Sequence, residues 1–424
     1  MKTKKKKTNW QKVRKFFNDI HLWVGLAGAL VLIPICLSGT IYVYNTELQE
    51  MFSSHLHWVE KEEGQSKLAI EEMLTKLSSK VEGNITGVSI PHDEARTYEF
   101  SVKEEGSRSR FGTTYYINPY NGEIVGNSSE KNSIAGFMRD MFSLHRWLLL
   151  DKIEEPLFEG LENRKLGSYI SGTATILFTI GLITGIVIWF PQKLKSWKQG
   201  LKLKLNGSWK RANHDLHNTL AFYSFLFLLV MGLTGPQWSF PWYRTGLQKA
   251  LGTYQAPSSR GGGAGHGRPT QPNREDKSDE KQVESPSFLA FEEYILAADK
   301  SLPYKGDYRI SIPQDAKSKI DVSKSKVGFF APAAGDKVSL DPKTAEVTDV
   351  QIFSDQPFNQ RVARSIKALH IGSVYGGFTK LLYFISCLIA TSLPVTGTLI
   401  WINKMKKKPR RKKPVVKKEA LMTS

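Results

Sequence analysis

The sequence predicts an α-helical membrane protein: a four-helix transmembrane bundle built from two tandem repeats, with two α+β modules outside the membrane. Three observations predict it. Four apolar runs are each long enough, at ~1.5 Å per helical residue, to cross a hydrocarbon layer of ~30 Å, while the 424-residue chain as a whole stays polar, with a mean hydropathy of −0.30. Lys and Arg, 59 against 40 Asp and Glu, crowd residues 2–15, 193–211 and 404–418, each block flanking an apolar run. That segregation puts both termini and the 191–213 loop on the cytoplasmic side and the two long intervening segments outside. Finally, short motifs recur once in each half of the chain.

In chain order, residues 1–17 form a basic arm. The first span covers 18–45, with Asn18-Asp19 as its expected N-cap, Pro34 inside it, and Tyr42 and Tyr44 in an aromatic interface belt. An outer module follows over 46–164: a helix periodic in Leu68, Ile70, Met73, Leu74 and Leu77, then strands ITGVSI, TYEFSVK and TTYYINP, then a helix over Ile134–Leu150. The second span covers 165–190, a basic loop 191–213, and the third span 214–240. The second module, 241–370, starts with an insert over 255–287 whose Gly, Ser, Pro and charged residues cannot bury a core. It then repeats the first: a helix FLAFEEYILAADK, strands YRISIP, KVGFFAP and DKVSLDP, and a helix over Gln360–His370. The fourth span covers 371–402 and a basic tail 403–424.

The repeat is explicit in the motifs. Asn118-Pro119 with Glu123 corresponds to Asp341-Pro342 with Glu346, Arg139 and His145 to Arg364 and His370, and Thr184-Gly185 with Trp189 to Thr396-Gly397 with Trp401. Spans 1 and 3 run in the same direction, so the halves relate by a pseudo-two-fold along the membrane normal. Asp19-Ile20-His21 likewise matches Asp215-Leu216-His217, and each histidine precedes a small-residue–glycine pair, Ser38-Gly39 or Thr234-Gly235, by eighteen residues.

The axis would bring His21 to His217 at one membrane face and His145 to His370 at the other. Two imidazoles facing one another are what a six-coordinate haem iron requires, and the core of a four-helix bundle can hold it. The competing reading is ordinary: a histidine at a helix end commonly bonds backbone or a lipid headgroup. His214, three residues before His217, has no counterpart in the first half and is the alternative ligand. Arg139, Arg146 and Arg364 could neutralise haem propionates at the outer end, or stand exposed. Asp19 and Asp215 fit N-caps better than partners of the imidazoles. His55 and His57 read as solvated, and His92 and His266 as surface residues.

Other chemistries fit less well. The distribution of charge argues against nucleic acid. Zinc would draw on four ligands with Cys or carboxylate support, and copper transport on clustered methionines; neither pattern is present. Cys36 and Cys387 fall within spans as packing thiols and form no C-x-x-C-H haem attachment. The Lys-rich start and long first run read as an uncleaved anchor rather than a secretory signal. No G-x-G-x-x-G follows a strand; Gly261-Gly262-Gly263 belongs to the insert.

In this order and twice over, DIHLWVGL, SGTIYVY, INPYNGEIVG with LDPKTAEV, SLHRW with ALHIGS, and TGIVIWFPQ with TGTLIWINK carry a resemblance. The chain resembles the PepSY-associated transmembrane (PepSY-TM) proteins of bacterial inner membranes over essentially its whole length. Members are associated with iron uptake, and some look like di-haem reductases of ferric siderophores. The resemblance implies PepSY-like modules in the periplasm and two non-covalent haem b groups, ligated by His21/His217 and His145/His370. It implies an oxidoreductase that takes a ferric siderophore or other ferric chelate as acceptor. Some relatives carry a C-terminal flavin and nicotinamide domain where this chain has Lys and Arg, so the expected donor is a quinol or a separate cytoplasmic reductase. Two other roles stay open: a non-catalytic PepSY protein that binds or regulates a periplasmic partner, and an electron carrier to a different periplasmic acceptor.

Overall fold

The computed structural model describes residues 8–104, 112–130, 132–191, 197–204, 207–256, 288–313 and 318–406. The start of the basic arm, most of the expected insert, parts of the basic loop and the tail beyond 406 lie outside the described residues. Among the described residues four helices are long and apolar enough to cross a membrane: α1 (Asn9–Tyr42), α6 (Asn163–Trp189), α8 (Trp209–Thr234, prolonged as a 3-10 turn to Trp238) and α13 (Gly376–Met405). This is a multi-pass membrane protein with a β-rich part. In the bundle α1 packs on α6 and α13, and α8 packs on the same two, so α1 and α8 stand diagonally opposite. Leu182, Leu228, Ala390 and Leu393 fill one core layer, and Leu32, Ile35 and Ala174 another.

Several ends differ from expectation. α1 begins nine residues before Asn18, because Thr8 and Gln11 exchange side-chain and backbone hydrogen bonds in a capping box. Asp19 and Asp215 are therefore not N-caps. Each sits inside its helix and pairs with a basic residue one turn back, Lys15 at 3.0 Å and Arg211 at 3.2 Å. Beyond the third span, α9 (Pro241–Ala250) takes up the residues after the 3-10 turn.

The remaining helices are α2 (Asn45–Phe52), α3 (Ser54–His57), α4 (Ile70–Ser78), α5 (Ser133–Trp147), α7 (Trp197–Gly200), α10 (Phe291–Ser301), α11 (Phe358–Arg364) and α12 (Ile366–Ile371). The helix expected over Gln360–His370 is thus broken at Ser365. The strands are β1 (Asn84–Ile90), β2 (Tyr98–Lys103), β3 (Thr113–Ile117), β4 (Ile124–Asn127), β5 (Gly306–Ser311), β6 (Ile320–Lys326), β7 (Asp336–Leu340) and β8 (Val347–Gln351).

The two expected modules share one sheet. All eight strands form a single antiparallel sheet in the order β4-β3-β2-β1-β5-β6-β7-β8, joined where Ser89 of β1 faces Arg309 of β5. One face carries Val88, Phe100, Ile117, Ile310, Val322 and Val338 against Met73 and Leu77 of α4 and Phe291 and Tyr294 of α10. The segment KVGFFAP, expected as a strand, is instead the connection after β6. The true strand, IDVSKSK, directs Lys324 into the core, where its Nζ meets Asp299 at 2.6 Å and the Leu302 carbonyl at 2.9 Å.

Candidate functional site: two facing histidine pairs

The bundle turns four histidines inward in two pairs. His21 of α1 and His217 of α8 meet across the diagonal near the basic ends of the spans, with ring centroids 6.2 Å apart. His145 of α5 and His370 of α12 meet at the sheet end, also with centroids 6.2 Å apart. Along α1, His21 precedes Gly39, which touches His145, by eighteen residues, or ~27 Å of helix. The two pairs therefore stand near opposite ends of the bundle.

Each ring is fixed through Nδ1. That of His21 lies 3.0 Å from the Gly181 carbonyl and 3.2 Å from Thr184 Oγ1, and that of His145 lies 2.9 Å from the Ile35 carbonyl. His217 Nδ1 lies 2.9 Å from Thr396 Oγ1, and His370 Nδ1 lies 3.0 Å from Thr234 Oγ1. A carbonyl can only accept. Both threonine hydroxyls already donate to the carbonyl one turn back, Thr396 to Ser392 and Thr234 to Val230, so they too accept from the imidazole. This arrangement of acceptors favours the tautomer with its proton on Nδ1 in all four rings, which leaves the lone pair on Nε2.

Each ring also lies against a glycine. A Cβ on Gly185 would come within 3.2 Å of His21, on Gly397 within 3.3 Å of His217, on Gly39 within 3.0 Å of His145, and on Gly235 within 3.4 Å of His370. All four glycines follow Ser or Thr. The sequence displays these dipeptides openly, yet sequence reading used them only as repeat markers and missed them as seats for the imidazoles. Ser38 differs from the threonines: its hydroxyl bonds the Pro34 and Ile35 carbonyls, and it is the Ile35 carbonyl that receives His145.

The donor set fits a bis-imidazole iron. Two metal–nitrogen bonds of about 2 Å, plus about 1 Å from each nitrogen to its ring centre, give a centroid separation of about 6 Å. Around His21 and His217 lies a cavity of 260 Å³ with walls that include Phe178, Trp189, Phe222, Phe225 and Trp401. These apolar and aromatic surfaces suit a flat macrocycle. Among the described residues no group of three or more His, Cys, Asp or Glu could hold a metal by itself.

The other sequence candidates separate clearly. His214 also lines the cavity around His21 and His217, with a side chain 56% exposed, bonded to Asn218 and 3.7 Å from Asp215. Arg146 stands at the sheet-end pair, donating to the Trp238 carbonyl at 3.1 Å while the Trp238 ring packs on His370 at 4.9 Å. Arg139 and Arg364 are exposed, the latter over the Phe353 ring. His57 is not solvated: it is buried against Tyr116, and burial pushes its pKa down. Cys387 packs on Met231 inside the bundle.

A second cavity, of 750 Å³, spans the β1–β5 join. Glu99, Asp307 and Arg309 line it beside the ion pair of Arg96 with Glu50 of α2, the helix that follows the first span. Burial raises the pKa of Glu99.

A family model described as PepSY-associated TM region matches residues 19–404, an interval that contains all four paired histidines. Comparison with curated proteins gives no match.

Proposed function

The chain belongs to the family of the PepSY-associated TM region, and on that premise we propose that it is a haem protein carrying electrons across the membrane to a ferric chelate. The observation that supports this most is the meeting of four imidazoles in two pairs, each with ring centroids 6.2 Å apart, about the separation a bis-imidazole iron needs. His21 with His217, and His145 with His370, would each hold one non-covalent haem b. Bound there, haem supplies reversible one-electron transfer.

The residues of the chain do the rest. Threonine hydroxyls and helix carbonyls hold the Nδ1 protons, which keeps each ring oriented and its Nε2 basic. Arg146 offers a positive charge to a propionate at the sheet end. The apolar walls around His21 and His217 would cover the faces of the macrocycle. The polar cavity at the sheet join, built from both halves, is where a ferric siderophore or other ferric chelate would rest. Reduction releases such iron, because hard oxygen ligands hold the ferrous ion less strongly. The donor on the basic side would be a quinol or a separate reductase.

In this reading the membrane is the bacterial inner membrane, the basic ends are cytoplasmic, and the sheet is periplasmic. The halves are tandem repeats carrying PepSY-like modules, a view supported by the mirrored strand order on either side of β1–β5. A reporter fused within β5–β8 is expected to be active only when it requires the periplasm; activity confined to cytoplasmic reporters would reverse the topology.

Reduced protein mixed anaerobically with ferric siderophores in a stopped-flow instrument is expected to reoxidise as a ferrous-specific dye develops colour. Reoxidation by oxygen or quinone alone, with no ferrous product, would assign the electrons to another acceptor.

A further inference from the structure

The connection from β6 to β7 contains an apolar stretch, Gly328-Phe329-Phe330, that the sheet does not bury. Phe329 is 55% and Phe330 65% exposed. The chain turns at Gly328, φ +132°, and comes down onto the start of α13. Phe378 N donates to the Phe329 carbonyl at 3.2 Å, and Ala333 N donates to the Val374 carbonyl at 3.0 Å. The helix start is cut to receive it: a Cβ on Gly376 would meet the Phe329 carbonyl at 2.8 Å, and one on Gly377 would meet the Phe329 ring at 2.9 Å.

What this contact creates is a continuous apolar surface. The rings of Phe329 and Phe330 pack on each other at 5.0 Å, and Phe330 packs on Phe378 at 5.2 Å. Phe378 is the first of a stripe of exposed residues, Phe378, Leu381, Ile385 and Leu388, spaced three or four apart down α13. A span with such a stripe turns it toward hydrocarbon. The charged residue of the same turn, Lys380, reaches away to Glu47 of α2 at 2.5 Å, its side chain only 13% exposed. So the sheet extends the lipid-facing surface of a span at the level of the membrane boundary, where aromatic rings are favoured.

We propose that Phe329 and Phe330 insert into the bilayer interface beside α13, so that lipid is the partner of this connection and anchors the second half of the sheet to the membrane. A cofactor plays no part in this. The occupant follows from the continuity of the two aromatic rings with the apolar stripe of the span.

The test uses the full-length protein in phosphatidylcholine–phosphatidylglycerol vesicles, with Cys36 and Cys387 replaced by Ala and a nitroxide on Phe330→Cys. Power-saturation electron paramagnetic resonance compares collisions with oxygen, which concentrates in lipid, and with a water-soluble nickel chelate. Oxygen is expected to dominate several-fold, as at Leu381→Cys on the stripe, whereas nickel dominates at Lys343→Cys in the exposed β7–β8 turn. Nickel dominance at Phe330→Cys would overturn the proposal. So would protection from both reagents with spin–spin broadening, which would mean a second copy covers the patch. A label on Tyr375→Cys, bridged to Pro332, repeats the measurement at the same level should the first label disturb the connection.

Discussion

Protein carrying His217→Ala is expected to purify with about half the haem of the unaltered protein, the sheet-end group being retained. His217 supplies one of the two imidazoles that meet across the bundle diagonal, whereas His214, on the wall of the same cavity, is held by Asn218. His21→Ala should give the same result, and His145→Ala or His370→Ala the converse loss. Haem measured as the pyridine haemochrome per polypeptide, with the Soret spectrum of the remaining group, reads both quantities. Full haem in all four variants would remove the assignment and make His214 the next residue to replace. Thr396→Val, which removes the hydroxyl that lies 2.9 Å from Nδ1 of His217, is expected to weaken haem retention by roughly 10–100-fold rather than abolish it.

Gly39→Leu should empty the sheet-end pair as thoroughly as loss of a ligand. A Cβ at that position already stands 3.0 Å from both Nδ1 and Cε1 of His145, and the further leucine atoms occupy the volume of the ring. The imidazole must then leave the Ile35 carbonyl, losing its orientation and its distance from His370. The helix itself should not suffer, since leucine favours a helix interior over glycine by roughly 0.5–1 kcal/mol. The expected outcome is a folded, monodisperse protein by circular dichroism and gel filtration with about half the haem. Gly136→Leu, on α5 with nothing within 4 Å of the added Cβ, serves as the control and should keep both groups. If Gly39→Leu retained both, the geometric account of the pair would be wrong.

The four spans were readable from length and apolarity alone, because a bilayer demands a run that no soluble element requires. Their ends were not. The capping box of Thr8 and Gln11 sits within the lysine-rich arm, where charge suggested a solvated coil. Strand β6 was hidden by Lys324, a charged residue on a core face made tolerable by partners distant in the chain, Asp299 and the Leu302 carbonyl among them, while the neighbouring apolar KVGFFAP drew the strand assignment to itself. The facing of the histidines was visible in the repeat; their protonation was not, because it depends on which hydroxyl protons are already committed. Nothing local in NITGVSI or GDYRIS indicates that each forms the edge joined to the other half.

That join sets an order of events during synthesis. Ser89 meets Arg309 about 220 residues later in the chain, so β1 must wait until the third span and much of the second half have been made. Until then a nascent chain holding β1–β4 exposes an unpaired edge strand, the kind of surface that recruits a wrong partner or a holding chaperone. A truncated product ending after α6 should for this reason accumulate poorly even though its two spans are intact, and supplying β5–β8 on a separate polypeptide could close the edge.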